Sequence, residues 1–256
     1  MPRRRGALYK RRPVTLSDRL LEVYRRLYGA YGPQRWWPGE TPFEVIVGAI
    51  LTQSAAWANV EKAIANLNAA DALSARGLAR LSEGDLAGLV YPAGYYNAKA
   101  RKLKVFVEML GSRFGGELER LLATPREELR GLLLATHGIG PETADSILLY
   151  AAGRPVFVID AYTRRLFSRL GVAPPRDSYD SWQALFMENL EADAALFNEY
   201  HALIVRQGKE VCRRRPRCDV CPLLDVCPTG GSRAAKAASR AAANVVETGS
   251  GVRSSV

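Results

Sequence analysis

The chain has 256 residues, 48% of them hydrophobic, enough to bury one large core or two modest ones. No apolar run approaches the ~18 residues needed to span a bilayer. The basic start MPRRRGALYKRRP has no apolar stretch behind it, so neither a membrane span nor a secretory signal is expected, and the cytoplasm is the expected location.

The net charge of +10 is unevenly placed: residues 1–12 hold six basic residues and no acid, 229–256 hold four against one, and Lys209–Arg217 holds five against one. Such concentration points to a polyanion as partner, nucleic acid foremost. For the two tails alone, plain solvated segments read equally well.

In chain order, residues 14–31 place Leu16, Leu20, Val23, Leu27 and Tyr31 on one helix face, with Thr15 or Ser17 as cap. The connector GPQRWWPGETP (32–42) follows. FEVIVGAILTQ (43–53) reads as a buried helix. Helical spacing recurs at 57–69, 74–81, 83–89 and 97–110, with breaks such as YPAGYY (91–96) and GSRFGG (111–116). Helices at 125–134 and 141–152 flank THGIG. After PVFVID come helices at 161–170, 178–190 and 193–207, with a loop at 173–177. No strand ladder or repeat is evident, so an all-α body is expected. From Thr229 the chain is rich in Ala, Ser, Gly and Arg without an apolar period, and reads as disordered or as a frayed helix around 233–245.

Three constellations carry chemistry. All four cysteines lie within sixteen residues, as Cys212-x5-Cys218-x2-Cys221-x5-Cys227. Clustered thiols in a reducing compartment favour a metal centre over disulfides, and four thiolates fit either a zinc ion or an iron–sulfur cluster. The first gap holds Arg213-Arg214-Arg215-Pro216-Arg217. A metal centre would hold that loop rigid, so that cations such as Arg214 grip phosphates.

The second constellation is GIGPETADSILLYA (138–151). Gly138 and Gly140 permit close backbone approach, Pro141 suits a first helical position, and the amides of the turn and helix start, out to Thr143, suit a backbone phosphate. A plain αα-hairpin has the same spacing. The third is VFVIDAYTRRLFSRLG (156–171). Asp160 ends an apolar run and starts a helix, where an Asp is ordinarily a cap; it lies 18 residues beyond Glu142.

GIGPETA, VIDAYTRRL and the cysteine spacing, in this order, together with ILTQSAAWANVEKAI and GYYNAKARKL upstream, resemble the helix–hairpin–helix DNA glycosylase superfamily. The cysteine spacing is similar to the cluster loop of the endonuclease III family, with one residue fewer in its first gap. The resemblance runs from about residue 14 to 228. It implies an all-α fold of two helical domains with a cleft between them: a central domain at 41–150 containing the hairpin, and a cluster domain made of 14–40 plus 151–228. Residues 1–13 are then a disordered basic arm and 229–256 a disordered tail. It implies a [4Fe–4S] cluster on Cys212, Cys218, Cys221 and Cys227 in preference to zinc. It also implies a monomer that binds double-stranded DNA carrying a damaged base in a bacterial or archaeal nucleoid, and flips that base into the cleft. The acid matching Asp160 assists departure of the base and supports attack at C1′.

Bifunctional members of that superfamily carry a Lys where this chain has Glu142, and residues 105–208 contain no Lys to replace it. A carboxylate cannot form the imine on which strand cleavage depends, so a monofunctional enzyme without AP-lyase activity is expected. Trp36, Trp37 and Trp57 resemble the bacterial 3-methyladenine glycosylase branch, in which aromatics matching Trp36 and Trp57 sandwich the alkylated base and a Glu matching Glu142 sits beside it. Indoles favour a cationic, electron-poor purine. A packed Pro/Trp corner is the structural alternative. Gln53 is expected to enter the gap left by the flipped base and Tyr95 to wedge beside the opposite strand, with helix-end packing as the alternative for both. Lys99 and Lys102 read as a solvated face or phosphate contacts. His137, His201 and Tyr162 receive no role. The competing readings are a glycosylase for uracil, mismatched thymine or hypoxanthine, an endonuclease III-like glycosylase/lyase, and a non-catalytic DNA-binding module.

Overall fold

A computed structural model describes residues 14–232; the expected basic arm at 1–13 and the tail beyond 232 lie outside the described residues. Among the described residues the fold is all helical, as the sequence pattern predicts. Helix α1 (Leu16–Tyr31) starts at Thr15, which closes a reciprocal capping box with Asp18. Helix α2 (Pro42–Leu51), capped by Thr41, has eight of its ten residues buried. A helix apolar on all sides can only be central: α3 (Trp57–Ala69), α6 (Tyr96–Phe114) and α9 (Pro141–Ser146) pack against it, and α4 (Ala75–Arg80), α5 (Glu83–Leu89), α7 (Leu118–Ala123) and α8 (Arg126–Ala135) complete the layer outside them. Ile46, Ile50, Leu103, Phe106, Leu133 and Ile147 are among the buried residues of this first core.

The chain then passes through PVFVID to α10 (Ala161–Arg169), α11 (Tyr179–Met187) and α12 (Ala194–Glu210). These pack with α1 into a second core. Phe157 stacks on Phe186 with ring centroids 4.0 Å apart, and Tyr200 meets both edge-on. The Tyr200 hydroxyl donates to Leu20 O at 2.6 Å, binding α12 to α1.

The join between the cores departs from the sequence reading. Residues 141–152 were expected as one helix, but after Ser146 the backbone widens into a π-turn at Ile147–Ala151. The extra residue in that turn changes which way successive side chains face. Leu148 enters the first core and Leu149 the second. Helix α6 runs past the expected break at 111 and stops only at Gly115, in the left-handed region at φ 67°. Helix α7 was not anticipated. Disorder was expected from 229, but residues 228–232 are helical, and Thr229 Oγ1 donates to Arg169 O at 2.9 Å.

Candidate active site

A cavity of ≈ 940 Å³ is lined by residues of both cores. The 32–42 connector supplies Trp36 and Trp37, the end of α2 supplies Gln53 and the start of α3 Trp57. The hairpin helix adds Glu142 and Thr143, the α10 start adds Asp160 and Tyr162, and α12 adds His201, Val205 and Lys209.

Asp160 is the N-cap of α10, its Oδ1 accepting from Thr163 N at 2.7 Å. It is only 9% exposed. Its second oxygen, Oδ2, lies 3.7 Å from His201 Nε2. Glu142 stands in the first turn of α9, open to solvent as a residue. Even so, burial of the carboxyl against the cavity wall, and secondly the charge of Asp160, push it up to about 7, with Arg164 pulling it down. The two acids of the sequence reading thus share one site.

The three indoles also meet there. Trp37 is in edge contact with Trp36 (5.4 Å) and with Trp57 (5.2 Å). Trp36 and Trp57 lie 6.3 Å apart and are tilted by 47°, so the slot between them is not parallel-sided. Trp57 is held by its Nε1–H, which donates to Glu61 Oε1 at 2.8 Å. Trp37 packs on Tyr150 at 5.1 Å and backs the cavity.

Gln53 does not project freely. Its amide donates to Gly138 O at 3.0 Å and to Thr143 Oγ1 at 2.9 Å, and Lys102 Nζ donates to its Oε1. Gly138, at φ 86°, is required twice over: a Cβ there would also lie 2.4 Å from Lys102 Cγ. Gly140 is the N-cap of α9 in ordinary extended geometry with open space around it. Tyr95 is 76% exposed at the start of α6. Lys99 corrects the reading of a solvated face: it is buried, and its Nζ donates to Ala93 O at 2.7 Å, bracing the turn below Tyr95.

The four cysteines all line one small enclosed cavity with Leu166, Leu170 and Leu223. Donors already point at the sulfurs: Arg169 Nη1 at 3.1 Å from Cys212 Sγ and Gln207 Nε2 at 3.2 Å from Cys221 Sγ. Among the described residues no three His, Cys, Asp or Glu side chains converge on a single metal position. Arg169 also holds the carbonyls of Cys212, Arg213 and Arg214, leaving the Arg214 side chain at the exposed tip of the basic loop.

Residues 47–192 match the HhH-GPD superfamily of base excision DNA repair proteins. The chain belongs to that superfamily. A Methanocaldococcus jannaschii protein whose provisional name is DNA repair glycosylase is 45% identical to this HhH-GPD protein over 212 residues, covering 82% of this chain and 96% of its own. A Thermotoga maritima endonuclease III is 28% identical, covering 73% and 82%. Among solved structures, the H. pylori 3-methyladenine DNA glycosylase bound to 1,N6-ethenoadenine aligns with TM-score 0.66 and 28% identity, over 75% of this chain and 97% of that one. A non-covalent endonuclease III–DNA complex, at TM-score 0.73 and 22% identity over 85% and 97%, shows the same fold. The chain is therefore a DNA glycosylase of the HhH-GPD base excision repair family.

The sequence reading missed three pocket residues of this HhH-GPD glycosylase. Lys209 lies one position beyond the lysine-free span, and its Nζ sits 5.9 Å from the Trp36 ring; the expectation that no lysine is near the site is corrected. His201, given no role, reaches the cavity wall, and Tyr150 OH meets its Nδ1 at 2.6 Å. The available signal was the i, i+4, i+8 spacing of His201, Val205 and Lys209, which puts all three on one face of α12. Tyr162 lines the same cavity, with Arg165 stacked over its ring at 5.0 Å.

Proposed function

We propose that this protein is a monofunctional glycosylase, acting as a monomer, that flips an alkylated purine of the 3-methyladenine type from duplex DNA and removes it by hydrolysis. The observation that carries the reading is the pairing of Glu142 with Asp160 in one indole-walled cavity, with a carboxylate on the hairpin helix in place of an amine. The resemblance to the H. pylori enzyme supports it.

In this reading Asp160 stabilises positive charge developing on the sugar and takes a proton from the attacking water. Glu142 and the faces of Trp36 and Trp57 attract a cationic base over a neutral one, with Trp37 supporting them. Gly138, Gly140 and Thr143 receive the DNA backbone, and Arg214 adds a phosphate contact. Tyr95, exposed at the start of α6, reaches the duplex beside the extruded nucleotide, while Gln53, tied to Gly138, Thr143 and Lys102, braces the hairpin turn. Cys212, Cys218, Cys221 and Cys227 are the residues that would hold a [4Fe–4S] cluster: all four line one cavity, and N–H donors reach the sulfurs of Cys212, Cys221 and Cys227. Such a cluster would brace the basic loop that carries Arg214.

The test is a panel of single-lesion duplexes carrying methylated purines, ethenoadenine, hypoxanthine, uracil and mismatched thymine, each assayed with and without alkali. Methylated purine should be released, and strands should break only after alkali. Asp160→Asn should abolish release while retaining DNA binding. Release of uracil or thymine alone would replace the lesion assignment, and breaks without alkali would replace the hydrolytic one.

A further inference from the structure

Three groups from three separate segments, His201 and Asp160 buried and Tyr150 partly so, form a chain that ends on the acid of the site. Tyr150 comes from the π-turn, His201 from α12 and Asp160 from the start of α10. Tyr150 OH lies 2.6 Å from His201 Nδ1, and His201 Nε2 lies 3.7 Å from Asp160 Oδ2. Resting on the assignment of Asp160 above, we propose that His201 is a positioning residue for Asp160, and that the Tyr150 hydroxyl fixes the histidine proton on Nε2, where it faces Oδ2.

The direction of the chain is the substance of the proposal. Burial, and then the charge of Asp160, push the Tyr150 phenol well above its ordinary value, so the phenol keeps its proton and has it to give to Nδ1, 2.6 Å away. Burial lowers the His201 value, with Asp160 opposing, so the ring is neutral. A neutral imidazole whose Nδ1 accepts must carry its proton on Nε2. That atom is buried and has no hydrogen-bond partner. The other Asp160 oxygen is taken by Thr163 N, so Oδ2 is the oxygen left to receive the histidine.

An ordinary helix cap needs only the bond to Thr163 N. A second donor, brought from another helix and pre-set by a third residue, is what fixing the rotation of a carboxylate requires. The gap of 3.7 Å is too long for a direct bond, and such contacts tighten when substrate excludes water from a site. Glu142, Arg165 and Lys209 also line the cavity, but the donor facing Oδ2 is His201.

Wild-type protein labelled with 15N decides the arrangement: His201 Nδ1 should resonate as an unprotonated ring nitrogen and Nε2 as a protonated one. The reverse tautomer, or an imidazolium at neutral pH, overturns the proposal even if no variant folds. Single-turnover base release then tests the role, using whichever lesion duplex the wild-type protein processes in the panel. His201→Ala should slow release by about tenfold or more with DNA binding unchanged. His201→Gln, which returns an N–H near the Nε2 position, should recover most of the rate, and Tyr150→Phe should slow release and weaken the tautomer preference. An alanine variant at the wild-type rate, or a folded glutamine variant no better than alanine, overturns the proposal. Turnover by Asp160→Asn would instead sink the Asp160 assignment and leave the tautomer result standing.

Discussion

Gln53 is fastened to the hairpin, its amide donating to Gly138 O at 3.0 Å while Lys102 holds its other end. A residue that only filled the gap in a duplex would matter only with DNA present. These bonds instead make Gln53 part of the folded protein, linking the end of α2 to the hairpin turn at Gly138. Gln53→Ala strands the Thr143 hydroxyl and frees Lys102, a loss of about 1–2 kcal/mol. The melting temperature of the DNA-free protein should fall by about 2–8 °C. A thermal scan showing no change would return Gln53 to the role of a side chain that acts only on DNA.

Glu142 gives opposite pH trends for stability and activity. Burial, then Asp160, raise its carboxyl from 4.5 to about 7 in the folded protein. As pH rises across that window the unfolded chain has already lost the proton and the folded one has not. Stability therefore falls from about 4.5 to about 7 and levels off above. Release of a cationic purine should run the other way, rising through neutrality as Glu142 ionises. Glu142→Gln should flatten both trends. Melting curves and single-turnover rates across the neutral range read both; a rate that falls as Glu142 ionises would remove its negative charge from the reaction.

The helices with regular helical spacing between clear breaks were legible. Residues 57–69 and 83–89 were bounded as the structure has them. The π-turn was not legible, because Ile147–Ala151 keeps the apolar spacing of the helix before it and nothing local marks the wider turn. Lys99 misled because charge at helical spacing reads as surface, and only the turn carbonyl of Ala93 shows what the buried ammonium bonds to. Asp160 and Glu142 were legible because each sits in a short linear motif. His201, Tyr150 and Lys209 were not, because packing of α12 and the π-turn brings them to the cavity from elements without such a motif.

Lys209 makes the lyase question sharper than Glu142 alone does. The Nζ lies over Trp36 in the cavity wall, and an amine close to a flipped sugar is the group an imine needs. The hydrolytic reading expects no covalent adduct when the wild-type protein acts on damaged DNA in the presence of borohydride. It also expects Lys209→Ala to keep base release while weakening DNA binding. An adduct formed by the wild-type protein and lost in Lys209→Ala would move the nucleophile from water to Lys209. Glu142→Lys is the positive control, placing an amine where the lyases of the superfamily carry theirs.

Arg130 and Asp145 staple the two helices on either side of the hairpin. Asp145 is fully buried and accepts from Arg130 Nε at 2.7 Å and Nη2 at 3.1 Å. Gln183 Nε2 from α11 donates to the same carboxylate at 2.8 Å and to Phe157 O, so the network also reaches the second core. Arg130→Met keeps the aliphatic stem and leaves a buried carboxylate without its cation, with only the neutral donors of Gln183 and Tyr179. Removing one partner of such a pair costs about 3–5 kcal/mol, whereas replacing both with apolar groups is often neutral. Arg130→Met should therefore lower the melting temperature by about 6 °C or more, and Arg130→Met with Asp145→Leu should recover most of that loss. The double variant should still bind DNA less tightly, because the hairpin then loses its fixed angle to α11. Equal melting temperatures for the single and double variants would mean that the pair acts only through packing.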